Sequence, residues 1–165
     1  MLTVIEALRK IMASATPLGT HLIPVENALT HVLVEDVLAD RPLPPFDRVA
    51  MDGFAVRSSD FQDGTARLEI VGRIQTGVAS ATEIKEGEAV QIMTGAPCPQ
   101  SADAVVKIEN CQVEGDYVVL NEPKIGPGLN IAPMGEDAAA GKVLIKNNKP
   151  LTTAGIAICA SVGVE

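Results

Sequence analysis

Apolar positions over the first fifteen residues recur at three- and four-residue steps: Val4, Leu8, Ile11, Met12 and Ala15. That spacing predicts a helix over 3–15 with one apolar face. Thr3 and Glu6 stand at capping-box spacing, and Pro17 and Gly19 end the pattern. From Leu22 to Asp40 the period is mixed. A short helix is predicted over Val25–Leu29 after Pro24, then a β-branched strand over Val32–Leu38. Pro42, Pro44 and Pro45 mark a change of character, from helix before to strand and turn after. Strands are predicted over Leu68–Arg73, Ala89–Met93 and Ala104–Glu109, the last with Ala104, Val106 and Ile108 on one face. Cys111–Val113 and Tyr117–Leu120 flank Glu114-Gly115-Asp116 and read as a hairpin. Short strands separated by glycines and prolines suggest a small barrel or sandwich. Gly126-Pro127-Gly128 breaks that run. A short strand at Val143–Ile145 follows, and Thr152 or Thr153 caps a last helix over Ala154–Val162 that Gly163 ends. This helix is apolar on every side, so it must be buried, with the first helix as its natural partner. The expected fold class is α+β. Residues 1–44 and 131–165 form a discontinuous helical and mixed domain, and a β-rich, barrel-like domain over 45–130 is inserted in it.

Composition refines this picture. Of 165 residues, 47% are hydrophobic but only 2% aromatic, so the core must be aliphatic. The net charge of −8, with no basic cluster, argues against nucleic acid and against an anionic membrane surface. No apolar run approaches the ~20 residues that span a bilayer, and the amino terminus has no signal-peptide pattern. The expectation is a soluble cytoplasmic protein. Cys98, Cys111 and Cys159 have no metal-ligand spacing and read as reduced, buried thiols. His21 and His31 pair with no other ligand type and read as structural or solvated.

The densest set of constrained residues is Pro44–Val56, PPFDRVAMDGFAV, flanked by Phe46 and Phe54, two of only four aromatics in the chain. The spacing places Asp52 on a rigid turn, with Gly53 letting the backbone reverse; the alternative is an ordinary Asp-Gly turn. Thr94 precedes Gly95, and Glu136 and Asp137 follow Gly135, so the other candidate polar groups also lie on glycine turns. Such turns bring backbone N–H groups close to a ligand, and their carboxylates could hold Mg²⁺ through few protein ligands plus phosphate oxygens. No nucleophile elbow, zinc-helix motif, P-loop or dinucleotide fingerprint is present.

Pro45-Phe46-Asp47-Arg48-Val49-Ala50-Met51-Asp52-Gly53-Phe54-Ala55-Val56 resembles the signature of the MoeA/gephyrin family of molybdopterin molybdenumtransferases, PxFDxSAMDGYAV. Val49 replaces the usual Ser, and Phe54 the commoner Tyr. Met93-Thr94-Gly95-Ala96-Pro97, Ala102-Asp103-Ala104-Val105-Val106 and Gly135-Glu136-Asp137 match in order. The segment from Leu151-Thr152-Thr153-Ala154 to Ser161-Val162-Gly163 looks like the one before the family's large third domain. The resemblance implies insertion of molybdenum from molybdate into adenylylated molybdopterin, with Mg²⁺-assisted hydrolysis of the nucleotide. It implies a homodimer whose site lies between the third domain of one subunit and the second domain of the other. Asp52, Thr94 and Asp137 are the implied catalytic residues, with Met51, Gly53, Gly95 and Glu136 lining the substrate site and no metal site complete within this chain. The third domain is missing, so the resemblance implies an N-terminal part, inactive alone, whose apolar tail fits a chain meant to continue. Two other readings stay open: a scaffold or binding module without catalysis, and a carboxylate-metal phosphohydrolase built on Asp52, Glu136 and Asp137.

Overall fold

In a computed structural model the described residues are 2–16, 18–78 and 82–164. They form two α-helices and ten strands: α1 (Val4–Ser14), β1 (Val37–Leu38), β2 (Arg48–Val49), β3 (Gly53–Val56), β4 (Thr65–Ile74), β5 (Glu88–Ile92), β6 (Ala104–Lys107), β7 (Cys111–Glu114), β8 (Tyr117–Asn121), β9 (Ile131–Ala132), β10 (Val143–Ile145) and α2 (Thr153–Ser161). The chain divides into two compact units, Met1–Val37 with Ile145–Glu165, and Leu38–Leu144.

In the first unit α1 begins with a complete capping box. The Glu6 N–H donates to the Thr3 hydroxyl, and the Glu6 carboxylate accepts from the Thr3 N–H at 2.8 Å. Pro17, one of the two residues expected to end this helix, lies outside the described residues. α1 buries none of its residues. α2 starts where the Thr152 hydroxyl accepts from the Gly155 N–H, and it buries Gly155 and Cys159. Its main neighbour is not α1, as expected from its apolar surface, but the single 3₁₀ turn at Val25–Asn27. Gly155 lets the Leu151 side chain fold against the start of α2, since a Cβ there would stand 2.9 Å from it. Most of the strand expected over Val32–Leu38 is irregular. It is replaced by isolated backbone pairing, with the Leu33 N–H donating to the Lys149 carbonyl and the Leu151 N–H to that of His31.

The second unit holds a six-stranded sheet in the order β6-β3-β5-β4-β8-β7, curled into a half-barrel rather than closed. All its pairs are antiparallel except β4 with β5. Two apolar clusters follow the two-residue period of the central strands. Val49, Ala55, Ile74, Val90, Ile92 and Val105 meet in one; Phe54, Val56, Ala89, Ala104, Val106 and Leu120 meet in the other. Since successive side chains point to opposite faces, the central strands are covered on both sides. In β6 Ala104 and Val106 share one face as expected, Val105 is buried on the other, and Ile108, beyond the strand, is exposed. The β7–β8 hairpin forms as expected, with Glu114 opposite Tyr117 and Gly115 at a φ of 62°.

This unit runs past the proline and glycine breaks in both directions, because residues 133–142 bond back to 39–47. The Leu43 N–H donates to the Ala138 carbonyl, the Gly135 N–H to that of Pro44 and the Gly141 N–H to that of Ala39.

Candidate functional site

The two-residue strand β2 gathers the conspicuous segments. On one side the Val49 N–H donates to the Ala96 carbonyl (3.0 Å), and the Val49 carbonyl accepts from the Gly95 N–H (2.8 Å). On the other side β2 pairs with β9, Arg48 opposite Ala132 and Val49 opposite Ile131. The Asp47 carboxylate accepts from the Met134 N–H at 2.8 Å, and the Asp47 carbonyl from the Cys98 N–H. The segments 95–98 and 131–134, far apart in sequence, are therefore bonded to the same three residues, 47–49. Asp47 was not among the expected site residues. Its place inside the proline-flanked motif was the available signal.

Three residues after β2 stands Asp52. Its Oδ1 accepts two hydrogen bonds from Thr94, one from the backbone N–H and one from the hydroxyl, both 2.7 Å. The Thr94 N–H and then its hydroxyl hold the Asp52 carboxyl below its ordinary value of 3.8, favouring the ionised form. Oδ2 accepts from no described residue and is open to solvent. The Asp52 carbonyl accepts from the Ile108 N–H at 2.9 Å, which fixes the main chain.

Gly53 does not reverse the backbone, as the sequence suggested. It is the first residue of β3, between Ile92 of β5 and Lys107 of β6. A Cβ on Gly53 would lie 1.9 Å from the Val106 carbonyl oxygen. Glycine is needed there because another main chain approaches closely. Gly95 is a turn glycine, with φ of 84°. Met51 is exposed beside Asp52.

Glu136 and Asp137 lie on the turn after Gly135, whose φ is 78°. The Asp137 N–H donates to the Leu43 carbonyl, and the Asp137 carbonyl accepts from the Lys142 ammonium at 2.8 Å. Both side chains are exposed, and neither is hydrogen-bonded to Asp52 or Thr94. Thus the structure joins Asp52 with Thr94 and keeps the 136–137 pair as a separate turn anchored to the same motif. Among the described residues no three His, Cys, Asp or Glu are grouped to hold a metal ion.

A cavity of about 410 Å³ opens elsewhere in this unit, beside Asp47, Cys98, Asp103 and Ile131. None of Asp52, Thr94 or Asp137 lines it. The Asp103 carboxylate is occupied by the N–H and hydroxyl of Ser58, at 2.6 and 2.7 Å. Burial, with the charges of Asp47 and Asp103, pushes the Cys98 thiol up to about 11, so this cysteine is not a nucleophile near neutrality. No described helix is long and apolar enough to cross a membrane.

Comparison with known proteins gives these motifs a family. The profile of the MoeA N-terminal region (domain I and II) matches residues 2–163. The chain is 36% identical to the molybdopterin molybdenumtransferase of Bacillus subtilis (strain 168), covering 96% of this chain and 38% of that protein. It is 32% identical to that of Haemophilus influenzae, over 99% of this chain and 41% of the relative. The fold is similar to the crystal structure of a molybdopterin biosynthesis MoeA protein from Pyrococcus horikoshii OT3, with a TM-score of 0.81 and 33% identity over 86% of this chain and 38% of that one. A second structure of the P. horikoshii MoeA protein gives a TM-score of 0.82 at 29% identity, over 99% of this chain and 43% of that one. The chain thus spans less than half the length of these relatives, of which those from B. subtilis and H. influenzae are named transferases. With a profile over almost its whole length, and the shared motifs bonded together around β2, the chain belongs to the MoeA N-terminal family and comprises the domain I and II region.

Proposed function

We propose that this chain is the domain I and II part of a molybdopterin molybdenumtransferase, acting in molybdenum cofactor biosynthesis in the cytoplasm. The complete enzyme takes molybdate and adenylylated molybdopterin as substrates and inserts molybdenum into the pterin dithiolene. It works as a homodimer, with no nucleic acid or membrane partner. Both chain ends build a discontinuous domain I that links and dimerises, and the inserted sheet domain presents Asp52, Thr94 and Asp137 to a cleft completed by the other subunit. Met51, Gly53, Gly95 and Glu136 border the substrate there. Alone the chain is inactive, because it holds one wall of the site.

The observation that carries this reading is the double hydrogen bond from Thr94 to Asp52, which joins the AMDG and MTGAP motifs into one polar group. Its openness suits a half-site, since Asp52 and Thr94 are both exposed. The donor set also suits Mg²⁺ in a limited way. Asp52 offers one oxygen with no partner among the described residues, and Mg²⁺ is commonly held by one or two carboxylates with substrate phosphates and water. Bound there, the ion would neutralise phosphate charge and ease nucleotide cleavage. Thr94 keeps Asp52 ionised and oriented.

The test is Asp52→Asn in the complete enzyme carrying this chain, assayed for molybdenum insertion. The expected loss is about 10²–10³-fold, the scale for removing one preorganised electrostatic group. Activity within twofold of the parent would remove the reading.

A further inference from the structure

Met93-Thr94-Gly95-Ala96 is a type II β-turn. The Ala96 N–H donates to the Met93 carbonyl at 3.1 Å, and Gly95 in the third position has φ of 84°. The type I form of the same four residues differs by a flip of the central peptide, between Thr94 and Gly95. Both polar ends of that peptide are held. Its N–H donates to the Val49 carbonyl at 2.8 Å. Its carbonyl accepts from the Thr76 hydroxyl at 2.6 Å. The Thr76 methyl also lies 3.4 Å from the point a Gly95 Cβ would occupy, so the side chain packs beside the turn as well as bonding to it.

We propose that Thr76 is a positioning residue, whose hydroxyl locks the Thr94 turn in its type II form and so keeps both Thr94 donors on Asp52. Thr76 lies just beyond β4 and touches Asp52 only through Thr94. Val49 supplies the other half of the clamp with a main-chain carbonyl, so Thr76 is the half that a substitution can remove. In water the freed Thr94 carbonyl would be solvated, so the loss registers in the geometry of the turn more than in global stability. As a statement about catalysis this inference rests on the functional reading of Asp52 and Thr94; as a statement about the turn it does not.

The experiment is Thr76→Val, which keeps the branched shape and removes the hydroxyl, with Thr76→Ser as the rescue. In the 165-residue chain, NMR follows the hydrogen exchange of the Thr94 and Gly95 amides. T76V is expected to speed exchange at both about tenfold. T76S is expected to restore both. Unchanged readouts in T76V overturn the proposal, and so does failure of T76S to restore them, which would assign the effect to methyl packing. If T76V does not fold, Thr76→Ala is read in the same way, and failure of both to fold counts against a purely positioning role. In the complete enzyme T76V is expected to lower kcat with KM little changed. If D52N retains full activity while T76V still shifts the NMR readouts, the functional reading has failed and the turn lock has not.

Discussion

Replacing Gly53 by Ala tests the central packing constraint of the site. An added Cβ would lie 1.9 Å from the Val106 carbonyl oxygen, 2.8 Å from its carbonyl carbon and 3.0 Å from the Lys107 Cα. All three atoms are main chain of β6, so no side-chain rotation relieves the clash. Ordinary contact begins near 3.4 Å, which requires β3 and β6 to separate by more than an ångström at this point. The Ile108 N–H to Asp52 carbonyl bond, at 2.9 Å, is the first that such a movement breaks. Overpacking of this kind costs about 1–3 kcal/mol, and a lost buried backbone bond adds about 1. At roughly 3 °C per kcal/mol, a total of about 3 kcal/mol lowers Tm by about 9 °C. Gly72→Ala is the control. Gly72 also lies in the sheet, but its added Cβ would meet only a Val90 methyl at 3.7 Å, so G72A should be neutral or more stable by about 0.5 kcal/mol. Calorimetric melting of the two variants and the parent decides the matter. Equal melting temperatures for G53A and G72A would refute the close-approach explanation and return Gly53 to the role of a turn residue.

Two further outcomes follow from the ionisable groups. Asp52 is held below 3.8 mainly by the Thr94 N–H and then by its hydroxyl. A depressed carboxylate stabilises the fold above its unfolded value, and that stability is lost as pH falls through the folded one. Thr94→Val should therefore raise the Asp52 midpoint and weaken the fold above the transition, with the difference from the parent fading as pH falls through it, and a stability profile differing equally at pH 3 and pH 7 would contradict this. The thiols of Cys98 and Cys111 are raised to about 11 and about 12, each mainly by burial. Groups so raised contribute stability below the unfolded value of 9.0 that is lost as pH climbs through the folded values. Iodoacetamide at pH 8 should leave both unmodified in the native chain and label both in urea, as read by mass spectrometry; rapid native labelling would show them more accessible than the packing allows.

Local signals in the sequence carried the parts of the fold that local chemistry determines. The Thr3–Glu6 capping box, the β7–β8 hairpin and the Thr152 cap each depend on residues within five positions of one another, and all stand as read. What failed depends on partners far along the chain. The face expected for β6 holds at Ala104 and Val106 but not at Ile108, which lies beyond the strand and is exposed, and Val105 is buried too because the curled sheet covers both faces. α2 read as the partner of α1 because both carry apolar residues, but a helix apolar on every side does not specify its neighbour, and a 3₁₀ turn fills the place.

The site shows the same division more sharply. Asp52, Thr94 and Asp137 were visible as polar residues close to glycines, whereas β2, the strand that gathers their segments, is two residues long and has no period to detect. Its role depends on the Val49 main-chain N–H and carbonyl, which any non-proline residue would supply, and on one carboxylate, Asp47, that reaches a backbone N–H 87 residues away. The substitution of Val49 for the family's usual Ser fits this arrangement, because the Val49 side chain is fully buried in the apolar cluster with Ala55, Val90 and Ile92 while its backbone carries the polar bonds. Gly53 belongs to the same class: its identity is set by a carbonyl from another strand, so the motif marks the residue without disclosing the reason. The motif is therefore best understood as the place where three strands and two turns are fastened, with Asp52 held at its end by the donors of Thr94.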